Sequence, residues 1–208
     1  MYKRKRYKYS NRNDRSSSIG SKIMTVVPIL LLVAGVYTLM LAFAPKFTPL
    51  LNSGKVEKAI NTNTPKVGDD RIYIEKLGID MPIKAGDASV MKDSIWHRLP
   101  ERGDPVKGGN FILSAHRWKT GKSPAETIAQ SPLYNADRLQ VGDDLFVDFE
   151  GRRYKYQIYE TYQVKPNQVE IEAPVVPGDQ AKLTLYTCTL KGASDGRVVI
   201  QARLASVE

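Results

Sequence analysis

The chain has 208 residues, 42% of them apolar and 25% charged, a globular composition long enough for one ordinary domain plus an appendage. Its one cysteine, Cys188, excludes an intrachain disulfide and any multi-cysteine zinc site, and two histidines, His97 and His116, exclude a His-rich metal site. The net charge of +9 does not indicate a nucleic-acid partner: residues 1–22 hold eight bases against Asp14, or +7 of that total, and the remainder carries 23 bases and 21 acids.

Residues 1–22 read as a basic, Ser/Asn-containing tail without a fixed fold. Met24–Ala44 follows as 21 residues without a charge, enough to cross the hydrocarbon core once as a helix. Residues 23–44 are therefore expected to form one transmembrane helix, with Pro28 near its first turn. The basic side precedes it, which places the N-terminus in the cytoplasm and everything after about residue 45 outside. A cleaved signal peptide is the rival, since Ala42-Phe43-Ala44 has the small-x-small form. Against it, the run exceeds an ordinary signal core and Pro45 would follow the cut.

Residues 45–70 mix Pro, Gly, Asn and Thr and are expected to be a stalk, with a short helix near Lys55–Ile60. A folded domain is expected over residues 71–208. Strands are predicted at Arg71–Ile74, Ile79–Ile83 and Asn110–His116, and a hairpin at Asp144–Phe149 and Arg152–Val164. In its second arm Tyr154, Tyr156, Ile158, Tyr162 and Val164 share one parity, interrupted by Glu160. Lys182–Cys188 and Arg197–Leu204 form another antiparallel pair, with a turn in Thr189–Gly196. Ser123-Pro124-Ala125-Glu126 has the form of a capping box and opens a helix of about two turns. The fold class is mainly β, a closed barrel or a sandwich.

The chemistry centres on Cys188. A single unpaired thiol outside the membrane is either buried and inert or kept for its reactivity. If the last two strands pair, Cys188 ends one arm and Arg197 begins the other. The guanidinium would stabilise a thiolate and donate to an oxyanion. His116, at the end of a buried strand, would supply the acid and base. Each residue alone also has a structural reading: a small buried hydrophobe, a solvated strand start and a hydrogen-bonded histidine. His97 is the rival base, with a structural or groove-lining role expected.

Leu183-Thr184-Leu185-Tyr186-Thr187-Cys188 resembles the Leu-x-Thr-Cys signature of the sortase family. Arg197-Val198-Val199-Ile200-Gln201-Ala202 is similar to that family's Arg-bearing final strand. Gly108–Arg117 resembles the strand leading to its histidine, and Ile72–Ile79 with Met81-Pro82-Ile83 its opening strands. The resemblance covers about residues 70–205. One departure is Ala115, where the family often has Gly.

The resemblance implies an eight-stranded sortase β-barrel with one or two short helices and a cysteine transpeptidase on the outer face of a bacterial membrane. It implies Cys188 as nucleophile, His116 as general acid/base and Arg197 as the oxyanion- or substrate-stabilising group. The substrate would be a secreted protein with a C-terminal signal similar to Leu-Pro-x-Thr-Gly. The acceptor would be an amine of a cell-wall precursor or a pilin lysine. Thr187, Leu185, Val175, Val176 and Trp118 are the expected substrate-binding residues, with the connection 165–181 as the recognition loop.

No cofactor is expected. Some sortases bind calcium, and Glu101, Asp104, Glu170 and Glu172 are the acids available for it. No C-terminal membrane segment and no lid motif before Arg71 are seen, which favours a housekeeping-like or class D/E-like member over a pilus-assembling one. Two alternatives stand beside this reading. One is another cysteine-dependent cell-wall acyl transferase, such as an L,D-transpeptidase, whose Ser-x-Gly-Cys motif Thr187-Cys188-Thr189 does not match. The other is a non-enzymatic tethered β-domain with an inert Cys188.

Overall fold

The computed structural model describes residues 19–176 and 178–208, and it divides into two units at residues 39 and 40. The basic tail expected over residues 1–22 lies mostly outside the described residues. Helix α1 (Ile19–Phe43) contains Pro28 and is long and apolar enough to cross a membrane, with none of its apolar window buried. Leu30, Leu31 and Leu32 are all exposed. A helix whose apolar window is unburied among the described residues suits lipid surroundings.

The second unit begins with a 3₁₀ turn at Ala44–Phe47 and helix α2 (Thr48–Thr62). The stalk expected here is instead a folded helix packed on the barrel. Thr48, Pro49 and Val56 are buried. Gly78 must lack a side chain, since a Cβ there would lie 2.8 Å from the Thr48 carbonyl, and its φ of +66° suits glycine besides. Both ends of the segment are fastened. Asn135 Nδ2 donates to the Pro45 carbonyl (2.8 Å), and Arg153 donates to the carbonyls of Ile60 and Asn63 at the C-terminus. A cation there meets the unpaired carbonyls of the last turn. Arg153 is itself fixed by Asp148 at 2.7 and 2.8 Å, which also accepts from Tyr73 Oη.

Nine strands follow among the described residues: β1 (Arg71–Ile74), β2 (Ile79–Ala85), β3 (Ile95–His97), β4 (Gly103–Asp104), β5 (Gly108–Ser114), β6 (Asp144–Phe149), β7 (Arg152–Val164), β8 (Lys182–Thr189) and β9 (Gly192–Val207). Their order is β3-β2-β1-β6-β7-β9-β8-β5, and β3 pairs back onto β5 to close an eight-stranded ring. The two-residue β4 hangs on β5. Most pairs are antiparallel; β2–β3 and β5–β8 are parallel. Closure removes every free edge among these eight strands.

Alternation along each strand fills the barrel. Ile72, Phe111, Leu113, Leu145, Val147, Leu183, Leu185, Ile200 and Ala202 meet in one core. The single face read along β7 is in fact two. A register shift between Ile158 and Glu160 leaves Tyr159 unmatched. Tyr154, Tyr156 and Ile158 therefore point into the barrel, whereas Tyr162 and Val164 pack outside it with Ile112, Ile171, Tyr186 and Val199. Helix α3 (Pro124–Gln130) starts as expected, with Ser123 Oγ accepting from Glu126 N at 3.2 Å. The histidine expected at the end of a strand lies two residues beyond β5, and β9 begins five residues before Arg197.

Candidate active site

The parallel seam of β5 and β8 sets the site. Its ladder runs from Asn110↔Lys182 to Ser114↔Tyr186. Two residues further along each chain stand His116 and Cys188, carried past the end of the seam side by side. Thr187 Oγ1 donates to the Ala115 carbonyl (2.8 Å), which continues the seam one residue beyond its last ladder pair. On the other side of β8, Cys188 pairs with Arg197 of β9. Strand alternation puts Ser114 and His116, Tyr186 and Cys188, and Arg197 on the outer face of the barrel wall.

These residues line one cleft of about 360 Å³, together with Met91, Trp96, Arg98, Val169, Ile171, Glu172 and Ala193. The register of β3 explains Trp96, which pairs with Ser114. Residues of the β7–β8 connection form the opposite wall. The short 3₁₀ turn Val169–Glu172 lays Ile171 on the outer apolar cluster.

The turn is stapled to the barrel by buried polar groups. Asn110, fully buried, donates through Nδ2 to the carbonyls of Ile171 (3.1 Å) and Ala173 (2.9 Å) and accepts from Thr184 Oγ1 (2.7 Å). Glu172 Oε1 accepts from Tyr186 Oη (2.5 Å) and lies 2.6 Å from Arg98 Nε. Arg98 also stacks over the Trp96 ring at 4.9 Å. Burial and the Glu172 carboxylate together push the Tyr186 phenol far above its ordinary pKa, so it remains a donor.

Arg197 sits at a break in the β8–β9 ladder. Cys188 pairs with Arg197, but Thr189 pairs with Gly192, so residues 193–196 bulge out. Arg197 Nη1 donates to two carbonyls of this bulge, Ala193 (2.7 Å) and Gly196 (3.0 Å), and Thr189 Oγ1 donates to Asp195 within it (2.7 Å). Among the described residues Arg197 forms no ion pair with a carboxylate, so its charge is left to the cleft. His116 is half-buried. Burial, and then the nearby Lys119 ammonium, hold its pKa below the usual imidazole value and favour the neutral ring. Its loop is anchored by Leu133 N donating to the His116 carbonyl (3.3 Å) and by Arg117, which is buried and paired with Asp137 at 2.6 Å.

The structure brings Cys188, His116 and Arg197 together and separates the expected peptide-binding residues from them. Leu185 is fully buried in the barrel core, because a residue three before Cys188 in a strand faces the other way. Thr187 also points inward, 1% exposed, and serves the seam. Trp118 is half-exposed and is not among the cleft-lining residues. Val175 and Val176 line a separate hollow with Tyr159, Lys182 and Arg203. The residues missed, Ser114 and Tyr186, were legible from the parity of His116 and Cys188.

His97 is a core residue. It is 5% exposed, meets Phe111 edge-on at 4.8 Å and has Nε2 3.1 Å from the Gly103 carbonyl. Of the four acids considered for calcium, three have cations of the chain beside them: Glu101 with Arg102 (3.8 Å), Asp104 with Lys107 (2.9 Å) and Glu172 with Arg98 (2.6 Å). Among the described residues no three His, Cys, Asp or Glu side chains group as metal ligands.

The sequence model of the Sortase domain matches residues 72–205. No curated protein matches the chain. Among solved structures, the chain is similar to a sortase D5 transpeptidase of Clostridium perfringens, with 23% identity, a TM-score of 0.55, and 83% of this chain and 99% of that one covered. It is similar to the SrtA sortase of Actinomyces oris, with 26% identity, a TM-score of 0.53, and 71% and 82% covered. It is also similar to sortase E1 of Streptomyces coelicolor, solved with a tripeptide in the active site, with 21% identity, a TM-score of 0.52, and 71% and 93% covered.

Proposed function

Since the chain belongs to the sortase family, we propose that it is a cysteine transpeptidase anchored to the outer face of a bacterial membrane, and that it acts on secreted proteins with a C-terminal Leu-Pro-x-Thr-Gly-like signal. The observation that supports this reading is the meeting of two ladders at one strand end. The β5–β8 seam delivers His116 beside Cys188, and the β8–β9 register delivers Arg197 on its other side.

The roles follow from chemistry. The neutral His116 imidazole takes the thiol proton as the Cys188 sulfur attacks the Thr carbonyl of the signal, and the carbonyl π electrons move onto oxygen. The Arg197 guanidinium, held by bulge carbonyls and without a carboxylate partner among the described residues, stabilises that oxyanion. Collapse breaks the Thr–Gly C–N bond, and the His116 imidazolium gives its proton to the leaving amine. The neutral imidazole then accepts the proton of an incoming amine from a cell-wall precursor or a pilin as that amine attacks the thioester. Cys188 leaves as thiolate and recovers its proton from the imidazolium, and a new amide has formed. The partly apolar cleft beside Tyr186, Ile171 and Val169 is the seat for the peptide's Leu-Pro part.

The test is made on the full chain in detergent or nanodiscs, with a library of sorting peptides and an amine acceptor. A Cys188-linked acyl adduct seen by intact mass, absent in Cys188→Ala, together with an amine-ligated product is the expected result. Turnover that survives Cys188→Ala unchanged would refute the assignment.

A further inference from the structure

The compact unit starts at Met40, within α1, and one 3₁₀ turn leads straight into α2. The inner side of α2 is covered by the barrel through Thr48, Pro49 and Val56, and its ends are pinned by Asn135 and Arg153. The outer side is not covered. Phe47 is 52%, Leu50 84% and Leu51 60% exposed. The same helical stripe continues through Gly54 to Lys55 and Lys58, all exposed, at spacings of three and four residues. Glu57 lies at its margin.

The order along this stripe is meaningful. Its large apolar side chains come first, beginning three residues after the charge-free run Met24–Ala44, with Pro45 and the exposed Lys46 between. Its ammonium groups come about 12 Å further along, at about 1.5 Å per residue. That is the order met on leaving a bilayer, from acyl chains to phosphates, and an interfacial helix sinks its apolar side roughly 5–10 Å into that boundary. We propose that the outer stripe of α2 is a lipid-docking surface. Phe47, Leu50 and Leu51 enter the acyl boundary of the membrane that holds Met24–Ala44, and Lys55 and Lys58 meet anionic phosphates. Because α2 is pinned to the barrel at both ends, this contact fixes the height and tilt of the catalytic cleft over the lipid. The inference rests on the reading of Met24–Ala44 as a retained anchor.

The experiment uses the full chain with the sole thiol removed by Cys188→Ala. Single cysteines are introduced as Leu31→Cys, Leu51→Cys and Val106→Cys, labelled with an environment-sensitive fluorophore and placed in phosphatidylcholine–phosphatidylglycerol vesicles. Lipid-borne nitroxide should quench most of the emission at positions 31 and 51 and little at 106, whereas aqueous iodide should quench 106 alone. Adding Lys55→Glu and Lys58→Glu should reduce the lipid quenching at 51 and leave that at 31 unchanged. Iodide access at 51 equal to that at 106, with 31 still quenched by lipid, overturns the docking surface and spares the anchor. Loss of lipid quenching at 31 overturns the anchor and the docking together. A label at 51 shielded from both quenchers means a second copy covers the stripe, and also overturns the inference.

Discussion

Cys188 and Arg197 face each other in the last regular pair of the β8–β9 ladder, immediately before residues 193–196 bulge away. The bulge supplies the two carbonyls that hold the guanidinium, so the loss of register is what aims Arg197. Arg197→Gln removes the charge and should lower kcat by about 10²–10³-fold, the usual loss for one oxyanion donor. Arg197→Lys should recover little, because an ammonium cannot span both carbonyls and still present a donor. Single-turnover acylation rates check both.

Asn110 should control peptide binding from inside the wall. Asn110→Ala leaves the carbonyls of Ile171 and Ala173 and the Thr184 hydroxyl without their partner, at a cost of about 1–3 kcal/mol. The released turn carries Val169, Ile171 and Glu172 of the cleft, so KM should rise more than kcat falls. Thr184→Val, which spares both loop contacts, should leave KM close to wild type. Peptide kinetics and urea unfolding on the two variants separate loop placement from stability.

Neighbouring residues of β8 should give opposite phenotypes. Leu185→Ala opens a core cavity and should cost about 2–5 kcal/mol in stability with KM unchanged in the folded fraction. Tyr186→Phe removes the hydroxyl that meets Glu172 and should raise KM with little change in Tm.

This contrast shows what was legible before the fold was known. The bounds of β1, β6 and β7 and the cap of α3 follow from alternation and from Ser123-Pro124, and Cys188, His116 and Arg197 were singled out by their motifs. Leu185 and Thr187, near Cys188 in sequence, were expected among the substrate-binding residues. A strand turns its successive side chains to opposite faces, and both residues share the inward one. Helix α2 was read as a stalk because Pro49, Gly54 and several Asn, Ser and Thr residues give it weak intrinsic helicity. Its order comes from Asn135 and Arg153, residues about 90 positions away. The three-residue β3 is likewise defined only by the strands it joins.

Acid should destabilise the fold through its histidines. Burial lowers the pKa of both His97 and His116. The unfolded chain takes up these protons near pH 6.5, the folded chain only at lower pH. Between those points the unfolded state binds more protons, so stability declines as pH drops below about 6.5, and the histidines' share of that decline is complete once the folded rings also protonate. Tm measured from pH 8 to pH 5 should fall, and His97→Gln should flatten that fall. Lys119→Gln removes the cation near His116, so the imidazole should titrate at higher pH by NMR. An unchanged titration would show that Lys119 has no influence on the ring.

The last strand in the chain, β9, is not last in the sheet. It lies between β7 and β8, pairing Ala202 with Ile158 on one side and Leu183 on the other. Until it is inserted the ring stays open on the wall that carries the thiol, and neither the guanidinium nor its cradle is present. A chain folding as it emerges N-terminus first would thus present Cys188 before Arg197, its partner in the ladder. Such long-range pairing is slow, in the range of about milliseconds to seconds for β-rich domains. On the proposed function, completion of folding and acquisition of reactivity would be one event.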